Sequence, residues 1–178
     1  MSIEKLTYIE IDFTEVVVKK IHFIRKSSVL AKLANVSEHE IPHESKLNSE
    51  HYKLIAQDMR LTKELGERFR EFGVKDSSPT FVLTECLLVY MANDEAKKIL
   101  SGVTEFFKSD IMILNYEMIH PNDPFGQKMI ENLEDRGCML PGFTEVPDEK
   151  AQEQRLKEVG FTEVECVNMN TAYYKRFD

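Results

Sequence analysis

TFVLTECLLVYM (80–91) is nearly continuous apolar sequence. Such a run is expected of a strand covered on both faces, as in the centre of a parallel sheet, with its second half already turning out of the sheet. Glu85 interrupts it, and a charge inside an apolar run is costly unless it is paired or reaches a ligand. On the C-terminal side, IMILNY (111–116) reads as another buried strand and FTEVECV (161–167) as a less buried one. On the N-terminal side, YKLIAQ (52–57) and LTYIEI (6–11) read as strands.

Amphipathic stretches fill the intervals. Phe13, Val17, Ile21 and Ile24 recur at helical spacing, as do Leu61, Leu65, Phe69 and Phe72, with Gly73 suited to the C-terminal cap. Asn93 is placed to cap a helix with Asp94 and Glu95 in its first turn. Ala96, Ile99, Leu100, Val103, Phe106 and Phe107 would form its buried face. Asp123 and Pro124 open a helix that turns Phe125, Met129, Ile130 and Leu133 inward and ends at Gly137. Asp148 caps a further helix that ends at Gly160. Residues 27–50 are polar, without a clear period, and read as a long surface loop with one helical turn at most. The alternation of strands and helices predicts an open α/β sheet with helices on both faces, within one domain spanning 1–178.

The net charge of −8 argues against a nucleic-acid module, because such a module needs a positive field to meet phosphates. The three cysteines, Cys86, Cys138 and Cys166, form no CxxC pair and no disulfide framework, which fits a reducing, cytoplasmic setting. No apolar stretch approaches the length needed to span a bilayer, so no membrane association is expected. The N-terminus lacks the features of a signal peptide.

Ligands of open α/β sheets bind beyond the carboxyl ends of the strands. Asp12, Asp58, Glu85 and Glu117 fall at or near those ends. A carboxylate there can chelate a ribose diol, accept from an adenine amine or, with others, hold a hard cation such as magnesium. It can equally solvate the sheet edge or cap the next helix, and that plainer role is the expectation for Glu117. His39 and His43 have a metal-compatible spacing but no partner acid, so no metal site is expected. Cys86 has no histidine near it in sequence and reads as packing. EKAQEQRLKE (149–158) reads as a solvated helix face.

YIEIDF (8–13), LIAQDMR (54–60), TECLLVYM (84–91) and DPFGQKMIENL (123–133) resemble, in order and spacing, the blocks of leucine carboxyl methyltransferases. The resemblance runs from about Leu6 to about Tyr174. It implies a class I S-adenosylmethionine-dependent methyltransferase fold. It also implies methyl transfer from S-adenosyl-L-methionine to the C-terminal leucine carboxylate of the protein phosphatase 2A catalytic subunit. By the resemblance, Asp12 is similar to the acid that binds the cofactor ribose. Asp58 and Met59 match the acid–apolar pair beside the adenine, with Met where the family usually has Leu. Glu85 matches an acid near the methionine end, and Tyr90 falls where the family borders the substrate pocket. The other reading of Tyr90 is a core tyrosine with its hydroxyl satisfied. No proton-transfer residue is implied, and the catalytic set stays unassigned.

The family's Gly-rich cofactor turn has no counterpart among Gly66, Gly73, Gly102, Gly126, Gly137, Gly142 and Gly160. In the family that turn precedes the block matching YIEIDF, and further sheet follows the last block. The resemblance therefore implies a methyltransferase domain truncated at both ends, without its first strand and its C-terminal strands. Three other readings stay open: a relative of the tRNA wybutosine-synthesising methyltransferases, a catalytically inactive binding module, and a magnesium-dependent enzyme.

Overall fold

The computed structural model describes residues 6–36 and 46–176. It is a mixed α/β structure whose chain divides into two compact units, Met1–Lys75 and Asp76–Asp178.

In the first unit, β1 (Tyr8–Asp12) leads into α1 (Thr14–Lys26) and α2 (Ser28–Leu33). Next come β2 (Lys46–Asn48), β3 (Tyr52–Ala56) and α3 (Thr62–Glu71). The sheet order is β1-β3-β2, with β1 and β3 parallel and β2 antiparallel to β3. Val17, Ile21 and Ile24 lie on one face of α1 because residues three and four apart share a helix face. They pack with Ala34, Leu47 and Leu54. Phe13, expected on that face, is exposed, since it sits in extended backbone at the N-cap, before the helical period begins. Leu61, the N-cap of α3, also precedes the helical period and is exposed, whereas Leu65, Phe69 and Phe72 are buried as expected. The stretch read as a loop holds both α2 and β2. Ser27 caps α2 by accepting from Leu30 N, and β2 is held by pairing with β3 and by Leu47 in the core against α1.

The second unit runs β4 (Thr80–Glu85), a short 3-10 turn (Leu88–Tyr90), α4 (Asn93–Phe106) and β5 (Ile111–Tyr116). Four helices follow: α5 (Pro124–Glu134), α6 (Pro141–Glu145), α7 (Glu149–Glu158) and α8 (Met169–Arg176). The strands β4 and β5 are parallel, with Glu85 opposite Tyr116. All six residues assigned to the buried face of α4 are buried. Its N-cap is Ala92 rather than Asn93, and Glu95 accepts from the Ala92 N–H. Asp123 and Asp148 cap α5 and α7 as expected. In α5, Phe125 turns outward while Met129, Ile130 and Leu133 are partly buried.

The described strands form two small open sheets, one in each unit. Three expectations fail in the second unit. Neither β4 nor β5 is covered on both faces: Phe81, Leu83, Met112, Leu114 and Tyr116 are exposed, while Val82, Thr84, Ile113 and Asn115 on the alternate positions are more covered. Side chains alternate across a strand, and α7 lies on the inward face, where Asn115 donates to Gln152. FTEVECV forms no strand and pairs with none of the described strands; the Cys166 N–H donates to the Glu153 carboxylate. The 149–158 helix is not simply solvated either, since Gln152, Arg155 and Leu156 are buried.

Candidate functional site

The parallel register sets Asp12 opposite Ala56, so β1 and β3 end at the same carboxyl edge. The Gln57 N–H donates to the Asp12 carbonyl at 2.9 Å and carries the pairing one residue past the strands. Asp12 and Asp58 therefore leave the sheet side by side in chain terms, each within two residues of this last link. Asp12 is exposed, and its Oδ1 accepts from Phe13 N at 2.8 Å.

Asp58 is half-buried and held by Arg60. Its Oδ1 accepts from the Arg60 backbone N–H at 3.0 Å, a side-chain-closed turn typical of aspartate. The Arg60 guanidinium grips both oxygens, at 2.9 and 3.1 Å from Nε and 2.6 Å from Nη2. Those hydrogen bonds hold the Asp58 carboxyl below the usual carboxylate range. The same guanidinium lies 5.9 Å from the centre of the Phe13 ring, within cation–π range. Arg60 thus joins both strand ends, a role the sequence reading missed. The D-x-R spacing of Asp58 and Arg60 was the available signal. Met59 is half-buried beside them.

In the second unit Glu85 is the last residue of β4 and is exposed, so the cost expected of a buried charge does not arise. The strand ends halfway along the apolar run, whose second half turns out of the sheet as expected. Cys86 takes a left-handed conformation, φ 47°, unusual for a residue with a Cβ. Its N–H donates to the Tyr116 carbonyl at 2.8 Å, and the chain then turns away into the 3-10 turn. Tyr90 ends that turn and is 49% exposed, which rules out the core-tyrosine reading. Burial, and then the charges of Glu117 and Glu85, push the Cys86 thiol up, so it stays protonated and unsuited to nucleophilic attack.

Glu117, expected to do no more than solvate an edge or cap a helix, is half-buried behind this loop and accepts from Leu88 N at 2.8 Å. Below it runs a polar chain: Thr84 Oγ1 donates to Asn115 at 2.7 Å, Asn115 to Gln152 at 3.2 Å, and Arg155 to Gln152 at 2.6 Å. Arg155 is 2% exposed. Burial pushes the Glu117 carboxyl up, against the Leu88 N–H and the Arg155 charge, with smaller help from the amides of Leu87 and Val89.

The structure thus brings Asp12 and Asp58 to one rim of the first unit, and Glu85 and Tyr90 to one loop of the second. Among the described residues no group of three or more His, Cys, Asp or Glu side chains is arranged to hold a metal ion, so the magnesium reading finds no site there. His39 and His43 lie outside the described residues. Two surface depressions, along α1 and around His120, are lined by other residues. No helix among the described residues is long and apolar enough to cross a membrane.

The family model for leucine carboxyl methyltransferase matches residues 1–104. Leucine carboxyl methyltransferase 1 of Caenorhabditis elegans is 33% identical over 175 residues, 96% of this chain and 52% of that protein. The Arabidopsis thaliana leucine carboxyl methyltransferase 1 homolog is 34% identical over 93% of this chain and 50% of its own length. Human tRNA wybutosine-synthesizing protein 4 is 28% identical over 93% of this chain and 24% of its own length. The chain spans about half the length of the leucine carboxyl methyltransferases it matches.

Proposed function

Because the chain belongs to the leucine carboxyl methyltransferase family, we propose that it serves S-adenosylmethionine-dependent O-methylation of the C-terminal leucine carboxylate of the protein phosphatase 2A catalytic subunit. In this reading both units belong to one class I methyltransferase domain. The protein works in the cytoplasm, where its three free cysteines stay reduced.

The observation that carries the proposal is the pair of acids at the shared carboxyl edge of β1 and β3. Asp12, exposed and with Oδ1 accepting from its neighbour's N–H, is suited to a ribose diol. Asp58 is the acceptor for an adenine amine beside the apolar stem of Met59; Arg60 already donates to both of its oxygens, so the amine must displace one of those contacts. Glu85, exposed at the end of β4, is suited to an α-ammonium group, and Tyr90 borders the acceptor. These donor and acceptor types fit the proposed cofactor residue by residue.

When bound, S-adenosylmethionine supplies an electrophilic methyl group, which passes to a carboxylate oxygen. That carboxylate is already ionised at neutral pH, since an α-carboxyl has a pKa of about 3.3–3.7. No side chain has to remove a proton. The residues named here bind and orient, and alignment with exclusion of water supplies the acceleration.

Calorimetric titration of the chain with S-adenosylmethionine tests the reading. Binding is expected, and Asp12→Asn should weaken it. No heat at millimolar cofactor would instead favour an inactive binding module. Methyl incorporation into a phosphatase C-terminal peptide, measured against a modified tRNA, separates this substrate from that of the wybutosine-synthesising relatives.

A further inference from the structure

We propose that Glu117 is a positioning residue, one that locks the loop Cys86–Met91 in the conformation presenting Glu85 and Tyr90. The proposal rests on the methyl-donor reading of Glu85 given above.

The loop has an unusual backbone. Cys86 is left-handed at φ 47°, Leu87 follows at φ −107° and ψ −53°, and the 3-10 turn begins at Leu88. Residues of opposite hand in succession curl consecutive N–H groups toward one side and form a concavity for an anion. The anion here belongs to the protein. Glu85 pairs with Tyr116 in the parallel ladder, so Glu117 is the first residue past β5, level with the concavity. Its Oε1 accepts from Leu88 N at 2.8 Å.

The opposite side of the loop is closed by α6. A Cβ on Gly142 would lie 2.6 Å from the Leu88 carbonyl oxygen and 2.8 Å from that of Met91, so only glycine lets α6 approach this closely. Glu145 of the same helix accepts from Asn93 N at 2.6 Å, fixing the exit of the loop. The backbone of 86–91 is thus gripped by a carboxylate on its N–H side and by a glycine contact on its carbonyl side. The side chains of Glu85 and Tyr90 remain exposed.

A carboxylate is an expensive way to fill this place. Glu117 Oε2 is buried without a hydrogen bond among the described residues, and so is Arg155 Nε. Well-packed apolar side chains commonly stabilise as well as or better than buried charges. An apolar side chain, however, could not receive the Leu88 N–H, and the loop would be left with only the Cys86 N–H bond to the Tyr116 carbonyl on that side. What the acid provides is a fixed loop, and a fixed loop spares a ligand the cost of ordering it.

The test uses the full chain with Glu117→Ala and Glu117→Gln, the second keeping an acceptor oxygen. Amide hydrogen exchange reads the loop, and calorimetry with S-adenosylhomocysteine reads its purpose. In Glu117→Ala the Leu88 amide should exchange about tenfold faster or more, while the Ile99–Val103 amides of α4 keep their wild-type rates. S-adenosylhomocysteine affinity should fall by about tenfold, and Glu117→Gln should restore most of both. An unchanged Leu88 amide, equal acceleration in α4, or wild-type affinity in Glu117→Ala would overturn the proposal. If the wild-type chain takes no S-adenosylhomocysteine, the methyl-donor reading fails and the positioning role with it. A Leu88 amide released only in Glu117→Ala would then mark Glu117 as purely structural.

Discussion

Gly142 sits against the carbonyl of Leu88 so closely that an added Cβ would lie 2.6 Å from the oxygen. The contacts are backbone on both sides, so no flexible side chain can give way. Gly142→Ala should force α6 off the 3-10 turn and cost about 1–3 kcal/mol, the usual range for overpacking. Urea unfolding followed by circular dichroism measures the loss; an unchanged midpoint would mean that the close approach is absent in solution.

Thr84→Val removes one hydroxyl at nearly constant volume. Thr84 is buried, and its Oγ1 donates to the Asn115 side-chain oxygen at 2.7 Å, at the head of the chain that ends at Arg155. The Asn115 oxygen would be left without that donor, at a cost of about 1–3 kcal/mol. Equilibrium denaturation checks the value. Wild-type stability in the valine variant would show that water replaces the lost donor.

Arg60→Ala tests the ion pair at the first rim. The Arg60 hydrogen bonds lower the Asp58 carboxyl, so their contribution is fully present above the ordinary value of 3.8 and is lost as pH falls through the depressed folded value. The alanine variant should move the Asp58 titration back up, as read by carboxyl carbon chemical shift. The pair is partly solvated, so the stability lost near neutral pH should be under about 1 kcal/mol and shrink further with salt.

Glu117 has the opposite sign. Burial raises its folded pKa above the ordinary 4.5, so the folded state holds the proton more tightly than the unfolded chain does. Stability should therefore fall as pH rises from about 4.5 through the folded value, and Glu117→Gln should abolish that part of the slope. Arg155 and Cys86 face the same carboxylate, and neither changes charge in this window. Denaturation midpoints of the two proteins across the window give the comparison; parallel curves would show that Glu117 is not shifted.

Features that a residue announces locally were legible in the sequence. Asp123 caps α5, Gly137 leaves that helix at φ 72°, and the six residues read as the buried face of α4 are all buried. Each follows from helical period or cap chemistry within one turn. Features that depend on a distant partner were not. Phe81 and Leu83 share one face of β4, but whether a layer covers that face is decided by elements remote in sequence, and they are exposed. Arg155 lies in a run of polar residues and is buried because Gln152, and through it Asn115 of β5, receive it. Glu117 gains its place from the pairing of Glu85 with Tyr116, a register no window around residue 117 contains. The acids at strand ends were found, because sheet topology alone predicts that rim.

The parallel pairing of β1 with β3 carries a kinetic consequence. Asp12 and Asp58 meet one edge only after the chain between the two strands has crossed over and closed, so neither short-range collapse nor helix formation can bring them together. Long-range pairings of this kind bear their loop-closure entropy before any contact repays it, and they form slowly. In refolding experiments, binding of the proposed cofactor should therefore lag behind the recovery of helical signal, and a chain caught midway would be helical with its two strand-end acids still apart.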